Sequence, residues 1–174
     1  MKREELLNKH YHLLSMVSTL PKKIVSSGES ALVTQFVLHE LFSKDFFNIP
    51  KAAYFVDNPD FDCLKGIAGY SQHESCPLDW SHMDKSASVF EAADFNKKVR
   101  SICRPSCRLP EITDATYVSS LAHDLGFEQH AYLSWPLKYD NHGILLFEQV
   151  QDDSDFVQEY LSNALYLLSF CPIM

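Results

Sequence analysis

At 174 residues, with 46% hydrophobic and 22% charged content, the chain has the composition of one globular domain able to bury a core without metal or disulfide support. Aromatic residues reach 13% and there are only five glycines, which argues against disorder. A formal net charge of -8 disfavours a nucleic-acid partner, and five unevenly spaced cysteines do not read as a secreted disulfide framework.

The opening Met1-Lys-Arg-Glu-Glu5 lacks the apolar stretch of a signal peptide, and no apolar run is long enough to span a bilayer. The expected location is therefore the reducing cytoplasm, with no membrane partner. Residues 1–20 predict a helix. Leu6, His10, Leu13, Val17 and Leu20 recur at alternating spacings of four and three, a seam suited to pairing with another helix. Pro21 is expected to end it, because proline removes a backbone donor and clashes with the preceding turn. A second helix is expected from about Glu29 to Phe42, capped by Ser26 or Ser27, with Leu32, Val33, Phe36, Val37 and Leu41 on its apolar face.

Ala52-Ala-Tyr-Phe-Val56 reads as a strand, Asp57-Asn-Pro-Asp60 as a turn, and Cys63 to Tyr70 as the returning strand. Residues 71–110 predict an irregular excursion over the sheet, with a short helix near Ser88–Lys98. Its basic spots at Lys97, Lys98, Arg100, Arg104 and Arg108 read as a solvated segment. A further helix is expected from about Asp114 to Leu125, stopped by Gly126.

The last third is the most informative. His130-Ala-Tyr-Leu-Ser-Trp-Pro-Leu137, the polar turn Lys138-Tyr-Asp-Asn-His142 and Gly143-Ile-Leu-Leu-Phe147 predict a hairpin. An amphipathic helix follows from about Asp155 to Phe170, with Asp152 and Asp153 favourably placed at its N-terminus. Val157, Leu161, Ala164 and Leu168 repeat the spacing of the first helix. The expected fold class is thus α/β of the α+β kind: a central antiparallel sheet with N- and C-terminal helices packed on one face, as a single domain over 1–174. Both terminal helices together could make a homodimer.

This order resembles the GAF domain, a GAF/PAS-like sandwich. The likeness is carried by Gly126-Phe-Glu-Gln-His-Ala-Tyr-Leu-Ser-Trp-Pro-Leu137 followed by Gly143-Ile-Leu-Leu-Phe147, and spans roughly residues 30–170. The resemblance implies helices on one side of the sheet, a small-molecule pocket on the other, and dimers formed by the terminal helices. Subfamily signatures are missing. Asn96-Lys97 matches the start of the cyclic-nucleotide motif, but no Asp-Glu pair follows, and no Cys-His pair is present for a bilin. A second resemblance is to the autoinducer-binding domain of quorum-sensing regulators. It rests on Pro77-Leu-Asp-Trp80 with Asp84, and on Leu121-Ala-His-Asp-Leu-Gly-Phe127.

Strand alternation puts His130, Tyr132 and Ser134 on one face, with Ala131, Leu133, Trp135 and Leu137 on the other. The first set suits a pocket floor, which Tyr54, Tyr70 and Trp80 could join, so these six are the candidate ligand-binding residues. No cofactor and no catalysis are expected. The competing chemistries are a zinc site among His73, Cys76, His82, Cys103 and Cys107, and a redox pair Cys103/Cys107 flanked by Arg104 and Arg108. Ser119 with His123-Asp124 lacks the strained turn of a nucleophile. Cys171-Pro-Ile-Met174 fits a prenylation pattern, read instead as a helix end. The expected function is a non-catalytic sensory or regulatory module, dimeric, binding a small molecule or a protein partner. An interaction scaffold with a filled pocket is the alternative.

Overall fold

The computed structural model describes residues 3–28, 30, 32–106, 115–149 and 155–171. Five strands are present: β1 (Lys51–Asn58), β2 (Cys63–Ser71), β3 (Cys103–Arg104), β4 (His130–Pro136) and β5 (His142–Glu148). They form one antiparallel sheet in the order β3-β2-β1-β5-β4. The helices are α1 (Arg3–Ser26), α2 (Val33–Phe42), α3 (Met83–Ala92), α4 (Asp94–Arg100), α5 (Ala115–Leu125) and α6 (Asp155–Leu165), the last followed by a 3-10 turn at Tyr166–Phe170.

Central strand β1 is buried from Ala52 through Asp57. Its side chains divide between two cores, as strand alternation requires. Ala52, Tyr54 and Val56 join Leu13 and Leu20 of α1, Val37 and Leu41 of α2, and Leu161 and Leu165 of α6. Ala53 and Phe55 join Phe95 and Val99 of α4 and Val118, Leu121 and Leu125 of α5. The mixed α/β class is as expected, and helices from both ends of the chain share one core with Trp135 of the closing hairpin. The far face of the sheet is not free, however. Helices α4 and α5 cover it, because β1 and β5 carry apolar residues on both sides and neither side can be left to water. The helices-on-one-side plan implied by the GAF resemblance is corrected to three layers.

Several local expectations also change. Helix α1 runs through Pro21 to Ser26. Burial of Leu20 and Ile24 on either side of the proline holds the last turn against the core, although Pro21 cannot donate to the Val17 carbonyl. The seam residues Leu13 and Leu20 are buried inside this chain's own core, while Leu6 and His10 have side chains outside the described set. Helix α2 starts at Val33 with no side-chain cap, and Ser26 belongs to α1. The segment 71–110 holds α3 and α4, split at Ala93, where one short helix was expected. Gly126 stops α5 with a φ of +73°, as expected of a left-handed C-terminal residue. Asp114, Asp152 and Asp153 lie outside the described residues.

Two glycines permit close approach. A Cβ on Gly66 of β2 would collide with the Val99 carbonyl of α4. A Cβ on Gly143 would sit 2.6 Å from the Trp135 indole across the β4–β5 ladder. That indole lies parallel to the Tyr54 ring, centroids 5.6 Å apart, and its N–H donates to Ser169 Oγ at 2.9 Å. The hairpin turns through Tyr139 and Asp140, both at positive φ, the geometry that matches strand twist in a tight antiparallel connection. No helix among the described residues is long and apolar enough to cross a membrane.

Candidate ligand-binding cleft

Every residue of α2 is buried, including His39 and Glu40, which stand in an otherwise apolar run, Phe36-Val-Leu-His-Glu-Leu-Phe42. Burying such groups requires partners, and the two find different solutions. Glu40 accepts from Lys23 Nζ of α1 at 2.5 Å and from the Trp80 indole N–H. Lys23 Nζ also stands 5.4 Å from the Trp80 ring centroid, a cation–π contact. One carboxylate thereby joins α1, α2 and the segment between β2 and α3, with its charge compensated by an ammonium.

His39 has no such compensation. Its ring is 4.9 Å from the Tyr70 ring, edge-on, and 4.5 Å from Phe90. Neither ring nitrogen makes a full hydrogen bond, although the Gly69 backbone lies close enough to act on the ring. Burial lowers its pKa from 6.5 to about 4, opposed by hydrogen bonding to the backbone of Gly69, so the ring is neutral at physiological pH. A neutral imidazole offers one donor and one acceptor. Here both nitrogens are buried, and the Gly69 backbone is the polar group beside them.

His39 lines a cleft of about 640 Å³, within the size range of small-molecule sites. Met16 and Lys23 of α1 form one wall and Tyr70 at the end of β2 another, with Pro77, Leu78 and Trp80 closing the rim. Trp80 is set by its own local structure. Asp79 caps the 3-10 turn Trp80–His82, accepting from Ser81 N at 2.9 Å and pairing with His82 Nδ1 at 3.0 Å. The indole then meets Phe36 edge-on at 5.1 Å. The His82 partner and the Ser81 backbone together hold the exposed Asp79 carboxyl below its ordinary range.

A second cavity, of about 400 Å³, lies between α2, β2 and α4. Its amide side chains are already engaged. Gln35 donates to Gly69 O at 2.8 Å, and Asn96 accepts from Gly69 N and donates to Phe90 O, each at 2.9 Å. It therefore offers less to a ligand than the His39 cleft.

The six sequence candidates do not converge. Tyr70 and Trp80 line the cleft. Tyr54 lies in the same core, stacked on Trp135, with its hydroxyl buried and unpaired; burial, and then the nearby Cys171 thiol, raise its pKa. His130, Tyr132 and Ser134 are on edge strand β4, and Tyr132 packs against the core on the opposite side of the sheet. The register places Tyr54 and Tyr70 on the face of Ala131 and Trp135, not on that of Tyr132. Sequence reading missed His39, Glu40 and Lys23. The available signal was the His-Glu pair interrupting the apolar run of α2.

The competing chemistries find no assembly among the described residues. No three His, Cys, Asp or Glu side chains gather there as a metal site. Cys107 lies outside the described residues, and Cys103 instead faces Cys63. His123 is exposed, and Asp124 is paired with Arg104. Cys171 is buried against the terminal-helix core, and burial pushes its thiol up to about 12.

No protein-family model matches the chain, and no curated protein matches it. One solved structure is distantly similar: SdiA in complex with octanoyl-rac-glycerol, at 14% identity and a TM-score of 0.32. The match covers 97% of this chain and 64% of that one.

Proposed function

We propose that this chain is a non-catalytic regulatory module that binds a small uncharged molecule in the His39 cleft. The observation that carries this reading is a buried imidazole, short of full hydrogen bonding, beside a cleft of about 640 Å³. Leaving such a group unsatisfied costs roughly 1–3 kcal/mol, part of which a ligand hydrogen-bonded to the ring would recover. Glu40, the buried carboxylate at the site, is already neutralised by Lys23, and Lys44 and Asp45 stand exposed at the edge of the cleft. A charged ligand would find its ion pairs at that exposed edge, where solvent weakens them, while a neutral carbonyl, amide or hydroxyl on an apolar body matches both His39 and the Tyr70 and Trp80 rings.

Regulatory output runs through a homodimer. With Leu13 and Leu20 turned inward, the outward stripe of α1 is Tyr11, Leu14 and Val25, all exposed. These positions continue the alternating three-and-four spacing of a helix seam through Ser18 and Pro21. Five cysteines at irregular spacing fit a reducing compartment such as the cytoplasm.

The test is a melting-temperature screen of the full chain against uncharged amides, lactones and alcohols, with nucleotides and amino acids as the charged arm. A native-state ligand stabilises by mass action. Neutral compounds are expected to raise the melting temperature of the wild-type chain and not of His39→Phe. A response confined to charged compounds, or one unchanged in His39→Phe, would remove the cleft as the site. A flat screen would favour the interaction scaffold.

A further inference from the structure

Edge strand β3 pairs with β2 so that Leu64 faces Arg104 and Lys65 faces Cys103. This register puts Cys63 diagonally across from Cys103 on one face of the ladder, and their Sγ atoms are 3.2 Å apart. The remaining gap to a disulfide bond is about 1 Å, within side-chain rotation and a small shift of a short edge strand. Around the pair the strand is held in register by side chains. Ser106 N donates to Asp62 Oδ1 and Ser106 Oγ to Asp57 Oδ2, both at 3.1 Å, and Arg104 pairs with Asp124. Cys103 is exposed, and Cys63 lines an open surface cavity of about 210 Å³ with Asn58, Phe61 and Lys65. Both sulfurs are therefore reachable by a small reagent. The neighbouring Cys103 thiol, and then burial, hold the Cys63 thiol above its ordinary pKa against the Lys65 ammonium, so Cys63 suits the second, resolving step better than the first.

We propose that Cys63 and Cys103 are a reversible thiol–disulfide modification site whose oxidant is a low-molecular-weight disulfide. The Cys103 thiol loses its proton and attacks one sulfur of the reagent, forming a mixed disulfide and releasing one reagent thiol. The Cys63 thiolate then attacks the Cys103 sulfur, closes the internal bond and expels the second reagent thiol. Two electrons pass from the protein to the reagent, and the two protons leave with the released thiols. The bond joins positions 40 residues apart. The enclosed loop contains Tyr70, Trp80, α3 and α4, so oxidation ties down both ends of the segment that rims the cleft.

The reduced 174-residue chain is incubated with oxidised glutathione, alkylated and mapped by peptide mass spectrometry. The expected product is a Cys63–Cys103 cross-linked peptide with no retained glutathione, reopened by excess reduced glutathione. In Cys63→Ser, glutathione is expected to persist on Cys103, since the resolving thiol is gone. A link from Cys103 to Cys107 or to another cysteine, stable glutathione on both residues of the wild-type chain, or full alkylation of both thiols after treatment would overturn the proposal.

Discussion

His39 concentrates the chemistry of the cleft in one side chain. The folded ring resists protonation down to about 4, whereas the unfolded ring takes a proton near 6.5. The sign follows directly. Above 6.5 both states are neutral and the full stability is present. As pH falls below 6.5 the unfolded state binds a proton that the folded state refuses, and stability is lost until the folded ring titrates near 4. The loss expected from this group is ~3 kcal/mol. His39→Phe keeps an aromatic ring between Tyr70 and Phe90 but has nothing to protonate. Urea denaturation at pH 7 and at pH 4.5 should therefore show a smaller acid loss in His39→Phe than in the wild-type chain. Equal losses in the two proteins would show that His39 is solvated. The residue was legible in the sequence only as an anomaly. A histidine beside a glutamate in an apolar helical run signals a polar site, but the run does not show which elements pack over it.

At the scale of elements, α1 carries two apolar stripes, and the structure separates their work. Leu13 is 1% exposed and Leu14 is 49% exposed. Truncating a buried leucine to alanine costs about 2–5 kcal/mol, so Leu13→Ala should lower the urea midpoint sharply. Leu14→Glu should leave the fold close to wild type and, by light scattering, convert a dimer to a monomer. A wild-type chain that is monomeric at working concentration would end the dimer proposal, and a large stability loss in Leu14→Glu would contradict the assigned orientation of α1. The heptad spacing of Leu6, His10, Leu13, Val17 and Leu20 was readable from the chain, but spacing alone does not say whether the facing helix belongs to the same molecule. Here the sheet and α2 and α6 claim Leu13 and Leu20. The closing hairpin was more legible than α1 because its alternation, polar turn and following helix all agree.

For the molecule as a whole, coverage of the sheet on both faces decides where recognition can occur. The uninterrupted apolar run from Ala52 to Val56 marks a strand buried on both sides, and Gly66 lets α4 lie directly on β2. With neither face open, the cleft forms where α1, α2 and the end of β2 meet the 75–80 segment. Tyr70 and Trp80 reach it from strand and loop. His130, Tyr132 and Ser134 do not, because strand parity separates faces only within one strand and leaves the register between strands open. The most direct measurement is the nitrogen NMR spectrum of the imidazoles, with His39 assigned by comparison with His39→Phe, recorded through the acid range with and without a neutral compound that raises the melting temperature. One ring among the eight histidines should stay neutral to about pH 4, and its nitrogen signals should shift when the compound is added. A His39 ring that titrates near 6.5, with nitrogens indifferent to the compound, would contradict a buried imidazole waiting for a ligand.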